Sequence, residues 1–170
     1  QALKSRGLLA KGCVTTNYTY LGSEVTWPIY HHGTIGKAKE DLDRARGALV
    51  PLMKEVEGEA YVAVMKGLVT QAASAIPGMS IYLSLLFKAM KDAGSHEGCI
   101  EQTTRLYDTQ LFGGGEIQLD DQGRIRMDDL EMAPAIQQFV ADNWSLVTED
   151  NLHTLTDFVG YRRAFLELHG

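Results

Sequence analysis

The stretch Y-T-Y-L-G-S-E-V-T-W-P-I-Y-H-H-G-T-I-G-K-A-K, from Tyr18 to Lys39, decides how the chain is read. It holds three tyrosines, and Tyr30 stands nine positions before Lys39. Nine residues of unbroken α-helix turn through roughly 900°, which would set those two side chains on opposite faces. Pro28, Gly33 and Gly36 interrupt the interval, so one helix cannot run through it. The pattern predicts Tyr30 on a loop and a helix opening near Thr34, an N-cap residue type. Lys39 then falls in the second turn, within an apolar stripe of Ile35, Ala38, Leu42, Ala45, Leu49 and Leu52. A lysine on the core-facing side of a helix, beside a tyrosine carried on a loop, can tune a phenol as an acid. A Tyr and a Lys this close together are also common, and lysines snorkel along core edges, so spacing alone leaves both readings open.

On the amino-terminal side, Leu3, Leu8 and Leu9 predict the tail of a helix over 2–11, closed by Lys11-Gly12. Cys13–Tyr20 is β-branched and aromatic, hence a strand that leads straight into the Tyr30 loop. On the other side, the helix from Thr34 runs towards Gly58 with a kink at Pro51, and the apolar run Ala60–Met65 follows as a buried strand. Residues 13–65 thus predict one β-α-β unit with parallel strands. Ligands in open parallel sheets sit at the carboxyl ends of strands, so the Tyr20–Tyr30 loop and the 67–74 segment should converge on one site.

Beyond Pro77-Gly78 the chain reads as mostly helical: Ser80–Ala93, about His96–Phe112 to Gly113-Gly114-Gly115, Pro134 through Trp144 and Leu146, a further helix capped by Thr148-Glu149-Asp150, and Tyr161–Leu168. Ile117–Arg126 alternates around Asp121-Gln122-Gly123 and predicts a surface hairpin.

A chain of 170 residues suits a single core, and 45% hydrophobic with 22% charged residues is ordinary for a globular protein. The net charge of −6 argues against a nucleic-acid partner and supplies no polybasic membrane patch. Two cysteines, Cys13 and Cys99, make no disulfide framework, and with no apolar run of spanning length the expected location is cytoplasmic. His31-His32 and His96-x-x-Cys99 lack a further ligand pair, so no metal is expected. The triple glycine follows no strand and opens no helix, so it is no phosphate cradle by pattern. Thr70 and Ser74 either bond a cofactor or cap the following turn; spacing does not choose between them.

The stretch "YTYLGSEVTWPIYHHGTIGKAKEDL" (18–42), with its Tyr-x8-Lys, resembles the active-site region of trans-2-enoyl-CoA/acyl-carrier-protein reductases of the FabV type. Four further segments match in order: "LVTQAASAIP" (68–77), "SHEGCIEQ" (95–102), "GRIRMDDLEM" (123–132) and "GYRRAFLELHG" (160–170). The resemblance implies an α/β fold, the C-terminal part of a Rossmann-like, short-chain-dehydrogenase-like parallel sheet with additional helices and a small hairpin. It implies Tyr30 as catalytic acid and Lys39 as partner of both the phenol and NADH. Tyr20 would contact the substrate carbonyl, and Leu68, Val69 and Thr70 would line the NADH site. Leu130 stands where the family pattern has an aromatic. No Gly-rich dinucleotide turn occurs in the chain, so 1–170 is expected to be the catalytic portion of an enzyme whose N-terminal dinucleotide-binding half is absent here, and to be inactive alone. The implied substrate is an acyl-CoA or acyl-carrier-protein thioester in fatty acid synthesis. A ketoreductase using the same Tyr and Lys, or a helical binding module without catalysis, are the alternatives.

Overall fold

The computed structural model describes residues 2–170. Its centre is the expected β-α-β unit. Strand β1 (Val14–Thr19) and strand β2 (Glu59–Val64) pair in parallel register, Val14 opposite Glu59 and Thr19 opposite Val64. The crossover between them contains a single helical turn, α2 (Trp27–Tyr30), and the long helix α3 (Thr34–Lys54). The apolar run was enough to predict β2: every residue from Ala60 to Val64 is buried, as a central parallel strand requires.

Tyr30 does not lie on a loop. It ends α2, where Pro28 is accommodated in the first turn because no intrahelical N–H is required there. The apolar stripe of α3 holds from its second turn on: Lys39, Leu42, Ala45, Leu49 and Leu52 are half-buried, whereas Ile35 and Ala38 at its start are exposed. The fully buried residues of the helix are Gly36 and Met53.

A larger correction concerns 117–126. Instead of an antiparallel hairpin, Ile125-Arg126 forms a short strand, β3, that pairs parallel with Ala63-Val64 on the far side of β2. The sheet order is β1-β2-β3. Asp120 accounts for the difference: its carboxylate accepts from the backbone N–H groups of Gln122 and Arg124 and pairs with the Arg124 guanidinium. That closes a turn local to 120–124, and burial of Ile125 and Met127 draws the following residues to the sheet edge.

The amino-terminal helix α1 is short, Ala2–Ser5, and does not reach residue 11. Helix α4 is the single turn Gln71–Ser74, and α5 runs Met79–Asp92 with Tyr82, Leu83, Leu85, Leu86 and Met90 wholly inaccessible. Each such apolar side chain contributes about 1.5–3 kcal/mol by burial, which makes α5 the spine of the second layer. Helix α6 spans Cys99–Leu106 and widens into a π turn over Tyr107–Leu111. Helices α7 (Pro134–Trp144), α8 (Leu152–Leu155) and α9 (Phe158–His169) complete the chain. Ile136 and Val140 of α7 and Tyr161 of α9 join Tyr30, Val69 and the α5 residues in one core. No helix among the described residues is long and apolar enough to cross a membrane.

Candidate active site

Strand β1 delivers Thr19 and Tyr20 at its carboxyl end, and the turn that follows swings the chain back over the sheet. Gly22 makes this possible: its φ of +71° is left-handed, and a Cβ there would lie 2.2 Å from the Thr26 hydroxyl oxygen. The Thr26 hydroxyl in turn donates to the Ser23 carbonyl at 3.0 Å and accepts from the Ser23 N–H at 3.1 Å. Helix α2 then lies against the first turn of α3. Gly36 permits that contact, since a Cβ on it would stand 2.1 Å from the carbonyl oxygen of His31. The absence of one methyl group therefore sets how closely Tyr30 approaches Lys39.

The result is a cleft of about 490 Å³ at the carboxyl ends of β1 and β2, lined among others by Tyr20, Tyr30, Lys39, Lys66, Leu68 and Thr70. The Tyr20 and Tyr30 rings meet edge to face, with centroids 4.8 Å apart. Lys39 Nζ lies over the face of the Tyr30 ring, 5.5 Å from its centroid, and donates to Thr19 Oγ1 at 3.2 Å. Tyr20, Tyr30 and Lys39 thus come together as the sequence predicts. Lys39 does not set the electrostatics of the Tyr30 phenol. Burial, with the negative Glu131 second, raises Tyr30, while burial pulls the Lys39 ammonium down.

Three residues that sequence reasoning passed over complete the floor. Glu131 is fully buried; its Oε1 accepts from the Tyr20 hydroxyl at 2.8 Å and the Tyr82 hydroxyl at 2.6 Å, and its Oε2 accepts from the Gly67 N–H. Burial raises the Glu131 carboxyl against the three donors that hold it down, and raises the Tyr20 phenol well above its ordinary value. Lys66, 2% exposed, donates to the Gly67 carbonyl at 2.9 Å and sits 5.3 Å from the Phe87 ring centroid. Burial brings its ammonium down to about 8. A signal existed for two of them: Lys66 directly follows the apolar run Ala60–Met65, and Glu131 lies within the motif at 123–132. Tyr82, on an apolar helix, reads as core until its hydroxyl partner is known.

Elsewhere the candidates divide. Leu68 and Thr70 line the cleft, whereas the Val69 side chain belongs to the core. Thr70 caps α4, its hydroxyl accepting from the Ala73 N–H at 3.0 Å, and Ser74 donates to the Gln71 carbonyl. His31 and His32 are exposed. His96 packs edge-on against Phe87, and burial lowers its imidazolium to about 4. Gly113, Gly114 and Gly115 are exposed beyond the π turn and away from the cleft.

Comparison with known proteins agrees with this geometry. Residues 1–112 match the family model for the trans-2-enoyl-CoA reductase catalytic region, and 119–170 match the model for an enoyl reductase FAD binding domain. Residues 119–170 do not fit a flavin dinucleotide: they contain the two-residue β3 and three helices, with no Gly-rich turn between a strand and a helix to take a pyrophosphate. What they do supply is Glu131 beneath the cleft and the α7 and α9 packing on α5. Over its full length the chain is 52% identical to an NADH-dependent enoyl-acyl-carrier-protein reductase of Tolumonas auensis, and 53% identical over 169 residues to one of Pseudoalteromonas atlantica. It spans 43% of the length of each. Among solved structures, trans-2-enoyl-CoA reductase of Clostridium acetobutulicum in complex with NAD superposes with a TM-score of 0.94 at 38% identity, over 98% of this chain and 43% of that one. The Treponema denticola trans-2-enoyl-CoA reductase, also with NAD, gives 0.90 at 46% identity, over 97% and 41%. A parallel β-α-β unit that gathers two tyrosines and a lysine at its strand ends, and a family model matched across that whole unit, lead to one conclusion: the chain belongs to the trans-2-enoyl-CoA reductase family.

Proposed function

We propose that this chain is the catalytic portion of a longer enzyme that reduces trans-2-enoyl thioesters, of coenzyme A or acyl-carrier protein, with NADH. The observation that carries the reading is the meeting of Tyr20, Tyr30 and Lys39 in one cleft at the carboxyl ends of two parallel strands. NADH, when bound, supplies the hydride for the β-carbon of the enoyl group. The tasks at the thioester itself fall to side chains of this chain. Negative charge develops on the thioester oxygen as the double bond is reduced, and a Tyr20 hydroxyl directed at that oxygen stabilises it. Tyr30 is the acid that returns a proton to the α-carbon. Lys39, half-buried beside the Tyr30 ring, contributes a positive charge to the phenol and to the cofactor ribose. Leu68 and Thr70, with the Val69 backbone between them, form the cofactor-facing edge.

The rest of the nucleotide site lies outside this chain in our reading. Strand β1 has β2 on one side only among the described residues, and its Tyr18 is 53% exposed. Such an open edge suits further parallel strands, and we place a Rossmann-like sheet extension with the Gly-rich turn there, in the remaining part of the protein.

Consumption of NADH by the complete enzyme, followed with a short trans-2-enoyl-CoA and separately with a 3-ketoacyl-CoA, tests the reading. Oxidation dependent on the enoyl thioester, yielding the saturated product, is the expected result. Turnover of the ketoacyl substrate alone would replace it with carbonyl reduction, and turnover of neither would remove catalysis.

A further inference from the structure

The Tyr20 hydroxyl has one proton, and its oxygen lies 2.8 Å from Glu131 Oε1. A carboxylate only accepts, so while Glu131 is ionised the Tyr20 proton is committed to it and cannot also face a thioester oxygen. Glu131 itself does not line the cleft. It stands beneath Tyr20, wholly buried, and the Tyr20 hydroxyl is the cleft-lining side-chain group to which it is hydrogen-bonded. Resting on the reading of Tyr20 as the group that meets the thioester oxygen, we propose that Glu131 is a positioning residue: its neutral carboxyl form donates to Tyr20 Oη and turns the Tyr20 proton into the cleft.

The surroundings make both forms of Glu131 accessible. Tyr20 faces it from the end of β1, Tyr82 from α5, and Lys66 and the Gly67 N–H from the segment after β2; Tyr30 on α2 feels its charge. The hydroxyls can reverse, since each phenol oxygen accepts as well as donates, whereas the Gly67 N–H can only donate. Oε2 is therefore held as an acceptor and Oε1 is the oxygen that can carry the proton. Burial favours the neutral carboxyl, while Lys66 and the three donors favour the anion. A group balanced in this way switches the direction of Tyr20 without any movement of heavy atoms. The bond of the Glu131 carbonyl to Gln137 Nε2, 2.7 Å, holds the residue in place from α7.

This asymmetry predicts what Glu131→Gln does. The amide oxygen must take the Gly67 N–H, so the NH₂ group faces Tyr20 and Tyr82 and donates to both oxygens at every pH. In the complete enzyme with NADH and a short trans-2-enoyl-CoA, wild-type kcat should fall up to tenfold per pH unit as pH rises above the ordinary carboxyl range. Glu131→Gln should lose that limb while still turning over, and Glu131→Asp, which keeps a titrating carboxyl, should retain a limb. Tyr20→Phe should abolish the limb along with most of the rate. A second reading needs no turnover: in the NAD-bound wild-type enzyme, infrared difference spectra should show the carbonyl stretch of a protonated carboxyl that titrates over the same interval and is missing in Glu131→Gln. Identical pH profiles for wild type and Glu131→Gln, or the lack of that carbonyl band in wild type, would overturn the proposal. A wild-type enzyme inert to the enoyl thioester would instead count against the proposed reaction, and the infrared result would still decide the state of Glu131.

Discussion

Lys39 stands over the ring of Tyr30, its Nζ 5.5 Å from the centroid, and spends a hydrogen bond on Thr19 rather than on the phenol. The pair is adjacent without being joined. Separate roles for the two side chains follow, and they can be told apart by kinetics.

Tyr30→Phe removes one hydroxyl that acts as the substrate gains charge. In the complete enzyme kcat should drop about 10²–10⁴-fold, the usual worth of general acid catalysis, with NADH affinity nearly unchanged. Single-turnover kinetics and nicotinamide fluorescence check both parts. Near-full turnover in Tyr30→Phe together with a dead Tyr20→Phe would move the acid to Tyr20.

Lys39→Ala removes a charge proposed to serve cofactor and phenol alike. NADH affinity and kcat should fall together, and Lys39→Arg should restore only part, since a planar guanidinium does not reproduce a compact ammonium over the ring. An unaltered NADH affinity in Lys39→Ala would confine the lysine to the phenol.

Gly36→Ala tests the packing that brings the pair together. A Cβ 2.1 Å from the His31 carbonyl oxygen has to push α2 away from α3, because the obstacle is backbone. Overpacking of this kind costs about 1–3 kcal/mol. The complete enzyme should lose both melting temperature and kcat, whereas Gly47→Ala, on the same helix with open space around it, should lose neither.

Lys66 makes stability depend on pH. Its ammonium titrates near 8 when folded and near 10.5 when free, so between those values the unfolded chain binds more protons and stability rises with pH. The full penalty, about 3 kcal/mol, applies below pH 8. Buried phenols such as Tyr61, pushed up to about 12, act in the opposite sense above pH 10, which leaves pH 8–10 as the clean window. Denaturant titrations of the 170-residue chain should show a rising midpoint there, and Lys66→Met should make the rise shallower, leaving the share of Lys39, whose ammonium burial also lowers. A flat wild-type profile would mean that Lys66 keeps its ammonium proton on folding as readily as in the free chain.

The isolated chain should bind NADH weakly or not at all, because it contributes Lys39 and the Leu68–Thr70 edge but no helix N-terminus for a pyrophosphate. Fluorescence titration is sufficient. Micromolar binding would place the whole cofactor site within these residues.

Periodicity and punctuation in the sequence were sufficient for the β-α-β unit. Ala60–Val64 is too apolar to lie anywhere but mid-sheet, and Pro28 with Gly33 ends one helix before the next begins. Residue chemistry and family likeness likewise selected Tyr20, Tyr30 and Lys39 before any distance was known. Tertiary structure alone decided the rest. Ile125 joins a parallel sheet edge because its pairing partner, Ala63, is 62 residues away, and an alternating stretch beside a turn looks the same whether its strand pairs locally or remotely. The helix face that carries Lys39 is set by Gly36 against the His31 carbonyl, a contact no hydrophobic pattern records. Glu131 becomes a site residue only when the fold sets it beneath Tyr20, 111 positions away, where burial gives a carboxyl proton something to control.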